Sequence, residues 1–209
     1  MISVSIDFQI SSLQLVYINS SSVNEHSNIL LEEEDEQFKL LSNDKRKVEF
    51  LGVRFLRNSL SINEPIQYLS SGKPQLSQLG KPISISHCSK YIALAVCAEP
   101  VGLDIELLGR DTSRVINKFV SEEEKNLYKD NLSNDALELW CAKEAVYKLF
   151  DLPGLSFKEE IFVLNRKLRG ELILLEGIVQ RDVLKKNFMV KIAKENDLLI
   201  AVAVFTTVP

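Results

Sequence analysis

Two stretches of the chain nearly repeat each other. Ile85 and, after six intervening residues, Ile92-Ala-Leu-Ala-Val96 are echoed by Ile192 and, after seven intervening residues, Ile200-Ala-Val-Ala-Val204. Each reads as a β-hairpin ending in an apolar strand, since short apolar runs bounded by turn residues suit a buried strand. Each follows a long helical pattern, Lys45–Leu60 in the first half and Asp135–Phe150 in the second. The echo reads either as two similar α+β halves of roughly a hundred residues, related by a pseudo-two-fold axis, or as a chance likeness of two apolar strands; the first is expected. The expected boundary lies near 99–108, giving an N-terminal half over 1–100 and a C-terminal half over 101–209. A cleft between such halves is where a ligand is expected.

The other elements follow from local chemistry. Ile2, Val4, Ile6 and Phe8, then Leu13, Leu15 and Tyr17, alternate loosely and suggest two short strands. Leu30–Leu41 reads as an acidic helix with Glu32–Glu36 on a solvated face. Ser42-Asn-Asp44 supplies an N-cap for the helix Lys45–Leu60. Val48, Leu51, Phe55 and Leu56 form that helix's core face. Arg46, Arg54 and Arg57 line another side, which serves either solubility or the holding of an anion. Ser70-Ser-Gly-Lys-Pro74 is a turn that pins Lys73. Ser121 and Glu124 have capping-box spacing and open a helix to about Leu132. Phe157–Leu164, Glu171–Leu175 and Asn187–Thr207 read as strands, the last a hairpin turning at Glu195-Asn-Asp197.

Composition narrows the function. A net charge of −4 over 209 residues excludes a general nucleic-acid binder, so any anion site must be a local basic patch. The three cysteines, Cys88, Cys97 and Cys141, show no metal-ligand spacing and fit a reducing compartment. There is no signal-like start and no apolar run long enough for a bilayer. A cytoplasmic protein with no membrane or nucleic-acid partner is expected.

Two stretches carry chemistry. In Val101-Gly-Leu-Asp-Ile-Glu106 the apolar residues face one side of a strand and Gly102, Asp104 and Glu106 the other. Asp104 and Glu106 are then about 7 Å apart at their Cα atoms. They either decorate an exposed edge strand or share a hard divalent cation such as Mg²⁺. In Trp140-Cys-Ala-Lys-Glu-Ala-Val-Tyr-Lys148, positions 140, 144 and 148 stack on one helix face. Glu144 and Lys148 are either a solvated ion pair or the edge of a cleft, with Trp140 packed beside them.

Gly72-Lys-Pro74, Ile85-Ser-His87, Val101-Gly-Leu-Asp-Ile-Glu106, Phe119-Val-Ser-x-x-Glu124 and Trp140-x-x-Lys-Glu-Ala-x-x-Lys148 together resemble the 4′-phosphopantetheinyl transferases. The pattern is similar to the surfactin-synthetase-activator type, with two fused α+β halves in one monomeric chain. The resemblance is strong over 72–150, softer over 45–60 and architectural elsewhere. It implies transfer of the phosphopantetheine arm of coenzyme A to a serine of an acyl or peptidyl carrier protein, releasing 3′,5′-ADP. The carrier would serve fatty-acid, polyketide or nonribosomal-peptide synthesis. The resemblance further implies that Asp104, Glu106 and Glu144 hold Mg²⁺. It gives catalysis to Glu144 and Lys148, and Lys73, His87 and Lys143 to coenzyme A. Arg46 and Arg54 of the basic helix would meet its 3′-phosphate or the acidic carrier. Glu124 matches an acid beside the metal site. Cys88 departs from the Ser or Thr usual after the His, and a thiol is a poorer hydrogen-bond donor. The alternative is a non-catalytic relative that binds carrier or coenzyme A without transfer.

Overall fold

The computed structural model describes residues 2–3, 7–23, 29–78, 80–128 and 132–206. Two compact units divide the chain, Met1–Glu99 and Pro100–Pro209. Helix and sheet are mixed in both.

The first unit contains β1 (Ile2–Ser3), β2 (Gln14–Asn19), α1 (Glu32–Lys39), α2 (Asp44–Ser59), β3 (Ile66–Tyr68), β4 (Pro74–Leu76), β5 (Ile83–His87) and β6 (Tyr91–Val96). An antiparallel sheet runs β1-β2-β6-β5, with Ile18 opposite Ile92 and Ile85 opposite Leu94. β3 and β4 form a separate hairpin. Val4 and Ile6, expected to alternate in the first strand, lie outside the described residues; Ile2 pairs with Ile18. Helix α2 starts where the Asn43 side chain accepts from the Arg46 N–H at 3.1 Å. Its Val53 and Leu56 pack into a core with Val16, Ile18, Ile83, Ile92 and Leu94.

Two expectations for this unit fail together. Glu34 does not belong to a solvated face, and Arg54 and Arg57 do not project toward an incoming anion. All three are buried. Glu34 accepts from Arg54 Nε at 3.2 Å, from Arg57 Nη1 at 2.6 Å and from the Ile66 N–H at 3.1 Å. Arg54 also stacks on Phe50, 3.5 Å from the ring centroid. The reason is mutual compensation, because a carboxylate or a guanidinium enters a core only with a partner that replaces water. Arg46, two turns earlier, is exposed.

The second unit contains β7 (Val101–Leu107), α3 (Ile116–Phe119), α4 (Glu122–Leu127), α5 (Leu132–Phe150), β8 (Ile161–Arg169), β9 (Leu172–Arg181), β10 (Leu184–Glu195) and β11 (Leu198–Phe205). Its antiparallel sheet runs β7-β11-β10-β9-β8. The expected strands at Phe157–Leu164 and Glu171–Leu175 are misplaced or too short. The first begins at Ile161, and the second runs on to Arg181 and turns directly into β10, with Leu184 opposite Arg181. Cross-strand pairing carries that hairpin past the apolar runs; Gln180 and Lys185 are exposed, and Lys186 lays its ammonium over the Phe205 ring, 3.4 Å from the centroid.

The two units share an order of elements but not a sheet plan: the first adds β1 and sets β3–β4 in a sheet of its own, whereas β8 and β9 join the main sheet of the second. In each, a strand is followed by helices, a hairpin, and a second hairpin whose last strand returns beside the first. β6 pairs with β2 in this way, and β11 with β7. Ala142, Ala145, Val146 and Leu149 of α5 pack over Leu199, Ala201 and Ala203 of β11 in a core that reaches Phe188 and Val190.

Candidate active site

Gly102 sets the geometry of the site. A β-carbon there would overlap the Ala145 carbonyl oxygen and come within 2.8 Å of the Leu149 nitrogen. Helix α5 therefore lies backbone-close against the face of β7 that bears Gly102. Asp104 and Glu106 share that face by strand alternation. Both are buried, so the exposed-decoration reading of these acids fails.

Each carboxylate meets a residue of the helix. Lys148 Nζ donates to Asp104 Oδ1 at 2.8 Å and to the Leu103 carbonyl at 2.9 Å. Trp140 Nε1 donates to Glu106 Oε1 at 3.0 Å. The Trp140 ring packs edge-on to Phe119 at 5.2 Å and tilted on Phe157 at 5.7 Å, so it is anchored within its own unit. The Cys141 thiol, one residue on, hydrogen-bonds Asp104. Burial first, and the Asp104 charge second, push its pKa well up and keep it a thiol.

Glu144 lies between these contacts on α5. Its pKa is raised, chiefly by burial and next by the Asp104 charge, while Lys148 and Arg110 oppose the shift. The site thus holds a carboxylate more basic than usual next to an ammonium group. Among the described residues no three His, Cys, Asp or Glu side chains converge closely enough to hold a metal ion as they stand.

Lys143 is corrected by the structure. It points away from this face, is fully buried, and donates to Glu124 Oε2 at 2.7 Å and to the carbonyls of Phe119 and Phe157 at 2.7 and 2.6 Å. Burial lowers its pKa against the opposing pull of Glu124. Three acceptors use all its protons, so Lys143 serves as a structural cross-brace with no proton left over for a ligand. Its partner Glu124 closes the capping box with Ser121 and accepts from the Val163 N–H at 2.9 Å.

The first unit carries the remaining expected residues. His87, half-exposed at the end of β5, has Nδ1 3.2 Å from Glu49 Oε1. Lys73 follows the positive-φ Gly72 in the β3–β4 turn. Cys88 is partly exposed.

Sequence reasoning missed two contributors. Gly102 had a signal, a residue without a side chain on the acid-bearing face. Arg110 had a weaker one, a cation following Gly109 at the end of a strand. Its guanidinium forms an ion pair with Glu106 and lies 5.2 Å from the Trp140 ring.

Residues 100–203, which include every member of this constellation, match the family model of the 4′-phosphopantetheinyl transferase superfamily. The chain is also similar to enterobactin synthase component D of Salmonella austin, with 28% identity over 158 residues. That alignment takes in 68% of this chain and 65% of the relative, so the chain spans just under two thirds of the relative's length. No described helix is long and apolar enough to cross a membrane.

Proposed function

We propose that this chain is a 4′-phosphopantetheinyl transferase, moving the phosphopantetheine arm of coenzyme A onto a serine of an acyl or peptidyl carrier protein. The observation that carries the reading is the Asp104–Lys148–Glu144 grouping, within the segment that matches the superfamily. In the reaction the serine oxygen bonds to the phosphorus bearing the pantetheine arm. The bond from that phosphorus to the bridging oxygen breaks, and 3′,5′-ADP leaves with the electron pair. The serine proton goes to the Glu144 carboxylate, whose raised pKa makes it a better base than an exposed acid. Lys148 neutralises charge on the departing oxygen.

The acids suit Mg²⁺. Asp104, Glu106 and Glu144 outnumber the cations Lys148 and Arg110 that balance them, and all the donors are hard oxygens. Mg²⁺ commonly takes one or two carboxylates and completes its shell with phosphate and water, so a ready-made three-acid cage is not required. Asp104 and Glu106, with Glu144, would hold it, and its chemistry there is to lower the repulsion between nucleophile and diphosphate. His87, Lys73 and Arg46 are assigned to the phosphate-rich nucleotide end, in a cytoplasmic, monomeric enzyme. The name of the relative, a component of enterobactin synthase, favours a carrier that belongs to a synthase assembly.

The test is a one-pot incubation of apo-carrier, coenzyme A and Mg²⁺, read by intact-carrier mass. The expected product is carrier heavier by one phosphopantetheine arm. Unchanged carrier mass across fatty-acid, polyketide and peptide carriers refutes the assignment.

A further inference from the structure

Each acid of β7 already meets a cation of the chain itself, Lys148 at Asp104 and Arg110 at Glu106. β7 ends in a tight turn, where the Arg110 N–H donates to the Leu107 carbonyl at 3.1 Å and Gly109 occupies φ +85°. That hydrogen bond, with positive φ at the third position, is the signature of a type II turn, which favours glycine there. The turn folds the chain back so that Arg110 returns over Glu106, four residues earlier. Arg110 Nη1 forms an ion pair with Glu106 Oε1, the atom that also accepts from Trp140. Arg110 is 42% exposed at its side chain, so it can swing into solvent, and the buried Glu106 carboxylate it leaves is then free to take another cation.

We propose that Arg110 is an internal stand-in for the metal: it holds Glu106 while the site is empty, and Mg²⁺ must displace it to bind. The inference rests on the proposed metal role of Asp104 and Glu106. A cation tethered at a ligand oxygen competes with an incoming one, and Arg110 therefore weakens metal affinity and acts as a positioning residue through Glu106. The competition is modest, because the Arg110 end of the pair is in contact with water, which screens its hold on Glu106.

The experiment is calorimetric titration of the full chain with Mg²⁺ in the absence of coenzyme A, for wild type, Arg110→Ala and Arg110→Lys. The emission of Trp140, the single tryptophan of the chain, gives an independent midpoint. Arg110→Ala is expected to bind Mg²⁺ roughly two- to fivefold more tightly than wild type, with Arg110→Lys restored toward wild type. Equal affinity in wild type and Arg110→Ala overturns this inference and leaves the metal reading intact. Weaker binding by Arg110→Ala also overturns it, since Arg110 would then be orienting Glu106 for the metal. Absence of Mg²⁺ binding in all three proteins overturns this inference, and its absence again when coenzyme A is added overturns the metal reading as well.

Discussion

Replacing Gly102 by Ala probes the feature that brings β7 and α5 together. The added methyl would collide with the Ala145 carbonyl oxygen and lie 2.8 Å from the Leu149 nitrogen. Both obstacles are helix backbone, so no side-chain rotation relieves them. Ordinary contact begins near 3.4 Å, so α5 must retreat at Leu149 by about 0.6 Å, and further at Ala145. The helix core face there is fully buried, and overpacking such a contact costs roughly 1–3 kcal/mol. The upper end applies, because the clash is with helix backbone, which cannot rotate aside as a side chain can. For a chain of this size a loss of about 3 kcal/mol lowers Tm by about 6–12 °C. The retreat also stretches the 2.8 Å Lys148–Asp104 pair. Urea denaturation and thermal melting of Gly102→Ala measure the first effect, and kcat in the carrier assay the second. A variant within about 0.5 kcal/mol of wild type, with unchanged kcat, would refute the claim that this glycine sets the helix position.

Two further outcomes follow from buried charges. Lys143→Ala strands the Glu124 carboxylate in the core and should cost roughly 3–5 kcal/mol in urea denaturation. A KM for coenzyme A that rose in a fully stable Lys143→Ala would restore the ligand role set aside above. Glu144 contributes stability that is fully present below its ordinary carboxylate pKa and is lost as pH rises through its raised folded value. In chelator-treated protein, the Tm of Glu144→Gln relative to wild type should therefore climb between pH 4 and pH 7. A flat or falling difference contradicts the direction of that shift.

The sequence was most legible where pattern and chemistry coincide. The alternation of Val101–Glu106 placed two acids on one strand face, and the stacking of 140, 144 and 148 put the right helix face toward them. It could not show that both acids are buried, because burial depends on what packs over the strand, and that depends on the bare Gly102. Charge was the chief source of error. Glu34, Arg54, Arg57 and Lys143 look like surface residues by type, but each is buried against a partner distant in sequence. Local spacing carries no record of such pairings. The β9–β10 hairpin escaped for a related reason: its tips are polar, and its strands are extended by pairing to a neighbour. Arg110 depends on a turn, whose geometry places a residue back over its own strand.

The central claim is that the acids of β7 act in phosphopantetheine transfer, and Asp104→Ala tests it most directly. The measurement is the initial rate of holo-carrier formation at saturating Mg²⁺, coenzyme A and apo-carrier, alongside the melting temperature of the same sample. Losing Asp104 removes one buried carboxylate from a like-charged neighbour, Glu144, so the fold should survive. The expected result is a folded variant whose rate falls at least about a hundredfold, the scale on which positioned charge acts in an active site. A folded Asp104→Ala that loads the carrier at close to the wild-type rate would contradict the claim.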